Sequence, residues 1–71
     1  MSRYLIVVEK TETGYSAYSP DLDGCVAAGA TREEVEKRMQ EAVEFHLEGL
    51  KLAGFPVPKP HSFSSYLEVS A

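Results

Sequence analysis

A chain of 71 residues with Lys+Arg 7 against Asp+Glu 11, a net charge of −4, has room for one domain, 1–71. Its charge has the wrong sign for a phosphate-gripping surface, which needs clustered cations. The lone cysteine excludes an internal disulfide, and a core this small rarely supplies more than ~3–5 kcal/mol unaided, so a homo-oligomer, most simply a dimer, is expected.

The longest apolar runs, Leu5 to Val8 and Cys25 to Ala28, fall far short of the ~20 residues that span a bilayer. Met1-Ser-Arg-Tyr4 leads into a strand-like run with no signal-peptide pattern, and with the unpaired Cys25 this points to the cytoplasm and away from membrane partners. Tyr4 to Val8 is rich in β-branched and aromatic residues, which predicts a strand from about Tyr4 to Lys10. Tyr4, Ile6 and Val8 fall on one side of it and Leu5 and Val7 on the other, so both sides expect cover. Thr11-Glu-Thr-Gly14 is a polar turn, and the alternation Tyr15-Ser-Ala-Tyr-Ser19 predicts the second arm of a hairpin, ended by Pro20. Cys25 to Gly29 predicts a third strand, whose small Ala27, Ala28 and Gly29 let a helix lie close against the sheet.

Thr31-Arg-Glu-Glu34 is a capping box, in which the threonine hydroxyl accepts from the Glu34 amide while Glu34 reaches back. From there Val35, Met39, Ala42, Val43, Leu47, Leu50 and Ala53 recur at spacings of three and four, with the charged residues largely elsewhere on the wheel. Phe45 and Leu52 lie on a flank of that wheel, outside the main stripe. Gly54 is placed to close the helix in the left-handed conformation, and Phe55-Pro-Val-Pro-Lys-Pro60 cannot continue it. Ser62 to Val69 alternates well enough to predict a fourth strand. The expected fold is α+β: a three-stranded antiparallel sheet, one long helix packed on one face, then a fourth strand, β-β-β-α-β.

Taken in order, Tyr18-Ser-Pro-Asp-Leu-Asp-Gly-Cys25, Gly29-Ala-Thr-Arg-Glu-Glu34, the helix and Pro56-x-Pro58 resemble the HicB family of small antitoxins over nearly the whole chain. The resemblance implies an N-terminal HicB domain, a partly degraded RNase H-like fold that binds and blocks a small, RNA-cleaving HicA toxin. Family members often append a DNA-binding segment. This chain stops after the predicted fourth strand, so no such segment and no direct nucleic-acid binding are expected. Ala30 stands where the family commonly has an acidic residue, and Val35 where it commonly has alanine. The residues that carry the motif, Asp21, Leu22, Gly24, Cys25, Gly29, Thr31 and Glu34, are expected to be structural.

Asp21 and Asp23 sit two apart on a loop, a spacing that suits a hard divalent cation, but the further carboxylates such a site needs are missing nearby. An Asx-type turn before Gly24 is the expected reading. His46 falls near the middle of the apolar stripe, as a neutral histidine in the core or at a subunit seam, or as a base lacking an identifiable partner. Cys25 with His46 reads as a thiolate pair or, preferably, as a small buried thiol beside an unrelated ring. The acidic stretch from Glu33 to Glu48 is either a solvated helix face or a surface that meets a cationic partner. No catalytic, cofactor or metal residue is assigned, and Leu5, Val7, Phe45 and Leu52 are the expected oligomer or partner contacts. The leading function is neutralisation of a small basic HicA-like toxin. An oligomer of the same fold without a toxin and a residual metal-dependent nuclease remain as alternatives.

Overall fold

Residues 2–70 are described by a computed structural model; Met1 and Ala71, the ends of the expected 1–71 domain, lie outside the described residues. The β-branched run opens the sheet as β1 (Val7–Lys10), pairs antiparallel with β2 (Tyr15–Ser19), and β2 pairs antiparallel with β3 (Leu22–Gly29), giving the order β1-β2-β3. α1 (Arg32–Leu52) then crosses the sheet, lying mainly over β3 and β2.

β1 begins three residues later than the expected Tyr4. Val7 pairs with Tyr18, so continuing the ladder would set Leu5 against Pro20, which has no N–H to give. Ser19 caps this end with its side chain instead, its Oγ donating to the Leu5 carbonyl at 2.9 Å. β3, in contrast, starts before the expected Cys25. Tyr18 pairs with Val26 and Ser19 with Leu22, which leaves Asp23, Gly24 and Cys25 bulged out between two paired stretches. Gly24 takes the positive φ of 75° that this bulge needs.

The alternation of the strands sorts the two faces. Ala17, Leu22 and Cys25 meet Val35 and Met39 in the core, with Tyr4, Ile6, Val8 and Tyr15 packed around them. Val35 and Met39 are fully buried at the centre of the apolar stripe, Ala42, Val43 and Leu47 pack against that core, and Ala53 is exposed at the helix end. On the opposite face, Val7, Tyr18 and Val26 stand in one cross-strand row, with Tyr18 and Val26 exposed.

Both helix ends follow local chemistry. The Glu34 amide donates to Thr31 Oγ1 at 3.1 Å, and the Glu34 carboxylate reaches back to the amide of Ala30 at 2.7 Å, one residue earlier than a standard capping box. At the far end Gly54, φ 77°, donates to the Lys51 carbonyl and Phe55 to the Leu50 carbonyl, the pair of bonds of a Schellman motif.

The expected fourth strand over Ser62–Val69 is not formed: residues 55–70 lie in neither helix nor strand. Its alternating side chains have nothing to cover, since Phe63, Tyr66, Leu67 and Val69 are 87%, 97%, 87% and 78% exposed. A strand without burial or a paired ladder does not offset the entropy of ordering its backbone. The segment runs beside β1 all the same, with Ser62 to Ser64 sharing a hollow with Arg3 to Ile6, and Tyr66 sharing one with Ile6 and Val8.

Candidate functional site

The motif residues separate into those that shape the doorway to the helix and one that reaches across the molecule. Leu22 and Cys25 are core, Gly24 turns the bulge, Gly29 gives the helix room, and Thr31 with Glu34 caps it. Asp21 does something the expected Asx turn does not. Its side chain is fully buried, Oδ2 accepts from the amides of His61 and Ser62 at 3.0 and 3.1 Å, and Oδ1 accepts from the Ser62 hydroxyl at 2.6 Å. The carboxylate therefore clamps the segment that follows the helix onto the β2–β3 turn, forty residues away in sequence. The Ser62 hydroxyl holds the Asp21 carboxyl below its ordinary value; burial opposes this, and the two amides and the nearby His61 add to it. His61 Nε2 lies 3.1 Å from Oδ1, but its ring is 75% exposed, so any ion pair there is largely screened.

Asp23, the other half of the expected pair, is exposed on the bulge, whereas Asp21 is buried. Among the described residues no three His, Cys, Asp or Glu side chains gather closely enough to hold a metal ion. Burial pushes the Cys25 thiol up, which keeps it neutral and makes it a core packing group. His46 is half-buried and lies with Cys25 along one groove.

That groove, about 440 Å³, runs between the bulge of β3 and the second half of α1. Gly24, Cys25 and Val26 form one wall, and Ala42, Phe45, Gly49 and Leu50 form the other. Phe55 closes its end, because the Schellman motif folds the residue after Gly54 back over the helix terminus. Phe45, Val26 and Phe55 are 80%, 65% and 63% exposed.

The four expected contact residues come from two parts of the chain. Phe45 and Leu52 lie exposed on the α1 flank, whereas Leu5 and Val7 are half-buried at the β1 end of the sheet, Val7 in the open row with Tyr18. His61, Ser62, Gly49 and Phe55 had not been singled out. Gly54 with an apolar residue at each of Leu50 and Phe55 was the available signal for the groove's closed end; nothing local pointed to the Asp21 clamp.

Residues 4–70 match the family model described as HicB_like antitoxin of bacterial toxin-antitoxin system. A 14.9 kDa protein from the rep-hol intergenic region of Haemophilus phage HP1 is 36% identical over 64 residues, 90% of this chain and 48% of the phage protein, so the chain spans about half of that relative. Among solved structures, a chain of a HicA3 and HicB3 toxin-antitoxin complex is similar with a TM-score of 0.72 and 42% identity, over 83% of this chain and 70% of that one. A crystal structure of the antitoxin HicB3 is similar with a TM-score of 0.68 and 44% identity, over 80% of this chain and 42% of that one. The ordered motif, the three strands leading into one capped helix, and a family match from residue 4 to residue 70 agree: the chain belongs to the HicB-like antitoxin family.

Proposed function

We propose that the chain is an antitoxin module that binds a small, basic HicA-like toxin in the cytoplasm and covers its RNA-binding face, acting by occlusion and without catalysis. The observation that carries this reading is the likeness, at 42% identity over 83% of the chain, to a chain from a toxin-antitoxin complex. Charge supports it. A toxin that grips RNA presents cations, so a partner with a net charge of −4 is steered to the same surface and competes with phosphate there. Exposed ion pairs contribute only ~0.2–1 kcal/mol each, so the lasting affinity has to come from apolar surface.

Co-expression with a HicA-like toxin encoded beside the gene tests this. Growth rescue and co-purification are expected, with association that slows as salt rises. RNA incubated with the purified protein alone, with or without Mg²⁺ or Mn²⁺, should stay intact. If the two proteins neither bind nor rescue, the antitoxin reading fails and a toxin-free oligomer of the same fold takes its place. Self-association has its own support in the open row Val7, Tyr18 and Val26. Sedimentation equilibrium at micromolar concentration should give a mass above that of one chain, and a clean monomer would refute it.

A further inference from the structure

We infer that the groove between the β3 bulge and the second half of α1 is the surface that takes the toxin, and that it accepts an apolar side chain flanked by Lys or Arg. The inference rests on the antitoxin reading and adds the place and the chemistry of contact.

Two independent features meet there. The first is shape: Gly49 leaves open space on the α1 wall, with nothing within 4 Å of where a Cβ would stand, and Phe45 and Phe55 rim it as exposed aromatics. Large aromatics left this exposed beside a cavity are the usual anchors of a protein contact. The second is charge. Glu41 and Glu48 stand four before and three after Phe45, on the same helix flank, and among the described residues neither takes part in an ion pair. Nearer the helix start Glu34 and Glu36 are engaged by Arg38 and Arg32, while Glu33, like Glu41 and Glu48, takes part in no ion pair among the described residues. Two of the unpaired acids of α1 thus bracket the apolar groove, a pattern complementary to a basic protein that inserts a hydrophobic residue.

The test uses the full chain and the toxin that co-purifies with the wild type. Gly49→Leu fills the groove from a position with open space, and leucine favours helix over glycine, so the fold should hold or gain stability. Toxin affinity should nevertheless fall at least ~10-fold. Glu41→Lys with Glu48→Lys should slow association by about 10-fold or more and flatten its salt dependence. Glu9→Lys with Glu12→Lys makes the same change in net charge away from the groove, and should leave the toxin affinity within roughly 2-fold. If wild type binds and Gly49→Leu binds equally well, the groove assignment is overturned while the antitoxin reading stands. It is also overturned if the charge-matched pair weakens binding as much, or if Gly49→Leu abolishes self-association and leaves the toxin bound. If the wild type itself binds no toxin, both readings fall.

Discussion

The same chemical change, glycine to alanine, should act with opposite sign at two positions in this fold. A Cβ on Gly29 would stand 2.8 Å from the Val35 nitrogen, 3.1 Å from the Val35 Cα and 3.2 Å from the Glu34 carbonyl carbon. All three are helix backbone, so no rotamer can relieve the clash, and the first turn of α1 must lift off β3. Val35 has no exposed surface, so lifting it opens the centre of the core. Overpacking of this kind costs about 1–3 kcal/mol. For a domain of this size each kcal/mol moves the melting temperature by roughly 4–8 °C, so Gly29→Ala should melt about 4–24 °C lower. A Cβ on Gly49 meets nothing within 4 Å, and alanine there gains about 0.5–1 kcal/mol of helix propensity, so Gly49→Ala should melt roughly 2–8 °C higher. Thermal melts followed by far-ultraviolet circular dichroism measure both. A Gly29→Ala protein that melts within ~2 °C of wild type, or two shifts of the same sign, would refute the close approach of helix and sheet.

Two further predictions concern the helix cap and the clamp. Thr31→Ala removes the acceptor of the Glu34 amide and should cost about 0.5–2 kcal/mol, read as a lower denaturation midpoint at unchanged slope. Asp21 has a folded value held below the ordinary 3.8, so its contribution is present above that value and is lost as pH falls through the lower folded one. Ser62→Ala removes the leading cause of that lowering, so thermal melts should show a gap from wild type that is widest above pH 3.8 and closes in stronger acid. A gap of constant width across the acid range would show that the Ser62 hydroxyl acts independently of the Asp21 charge.

What the sequence revealed was what neighbouring residues decide among themselves. The Thr31 to Glu34 box and the Gly54 stop work within one turn of helix, and the stripe of Val35 and Met39 is a spacing, so all were legible. Gly29 was legible too, because a run of small residues before a capped helix signals close packing. The fourth strand was not, because alternation over Ser62 to Val69 states only that a strand would have two faces. Forming one also requires surface to bury and a ladder of backbone hydrogen bonds, and this segment runs beside the edge strand β1 with its large side chains exposed and no ladder formed. Asp21 misled for a related reason. Three residues before Gly24 it reads as part of a local turn, whereas its hydrogen bonds go to His61 and Ser62. The Schellman motif lies between these cases: its glycine was read correctly, but its effect on Phe55, and so the closed end of the groove, appears only in three dimensions.

The Asp21 clamp makes the molecule, in effect, a ring. Chain leaves the carboxylate through β3, runs the length of α1, and returns to the same carboxylate at His61 and Ser62. Closing a ring of that size removes freedom from the connecting chain, and the stretch that makes the return carries Pro56, Pro58 and Pro60. Each proline fixes one backbone angle before folding begins, so the return path has fewer shapes to lose than a glycine- or serine-rich one would. Tyr4 steadies it midway by donating its hydroxyl to the Pro58 carbonyl. The three prolines thus act on the unfolded chain as much as on the folded one. A looser connection would weaken the closure of the ring without removing a single hydrogen bond visible in it.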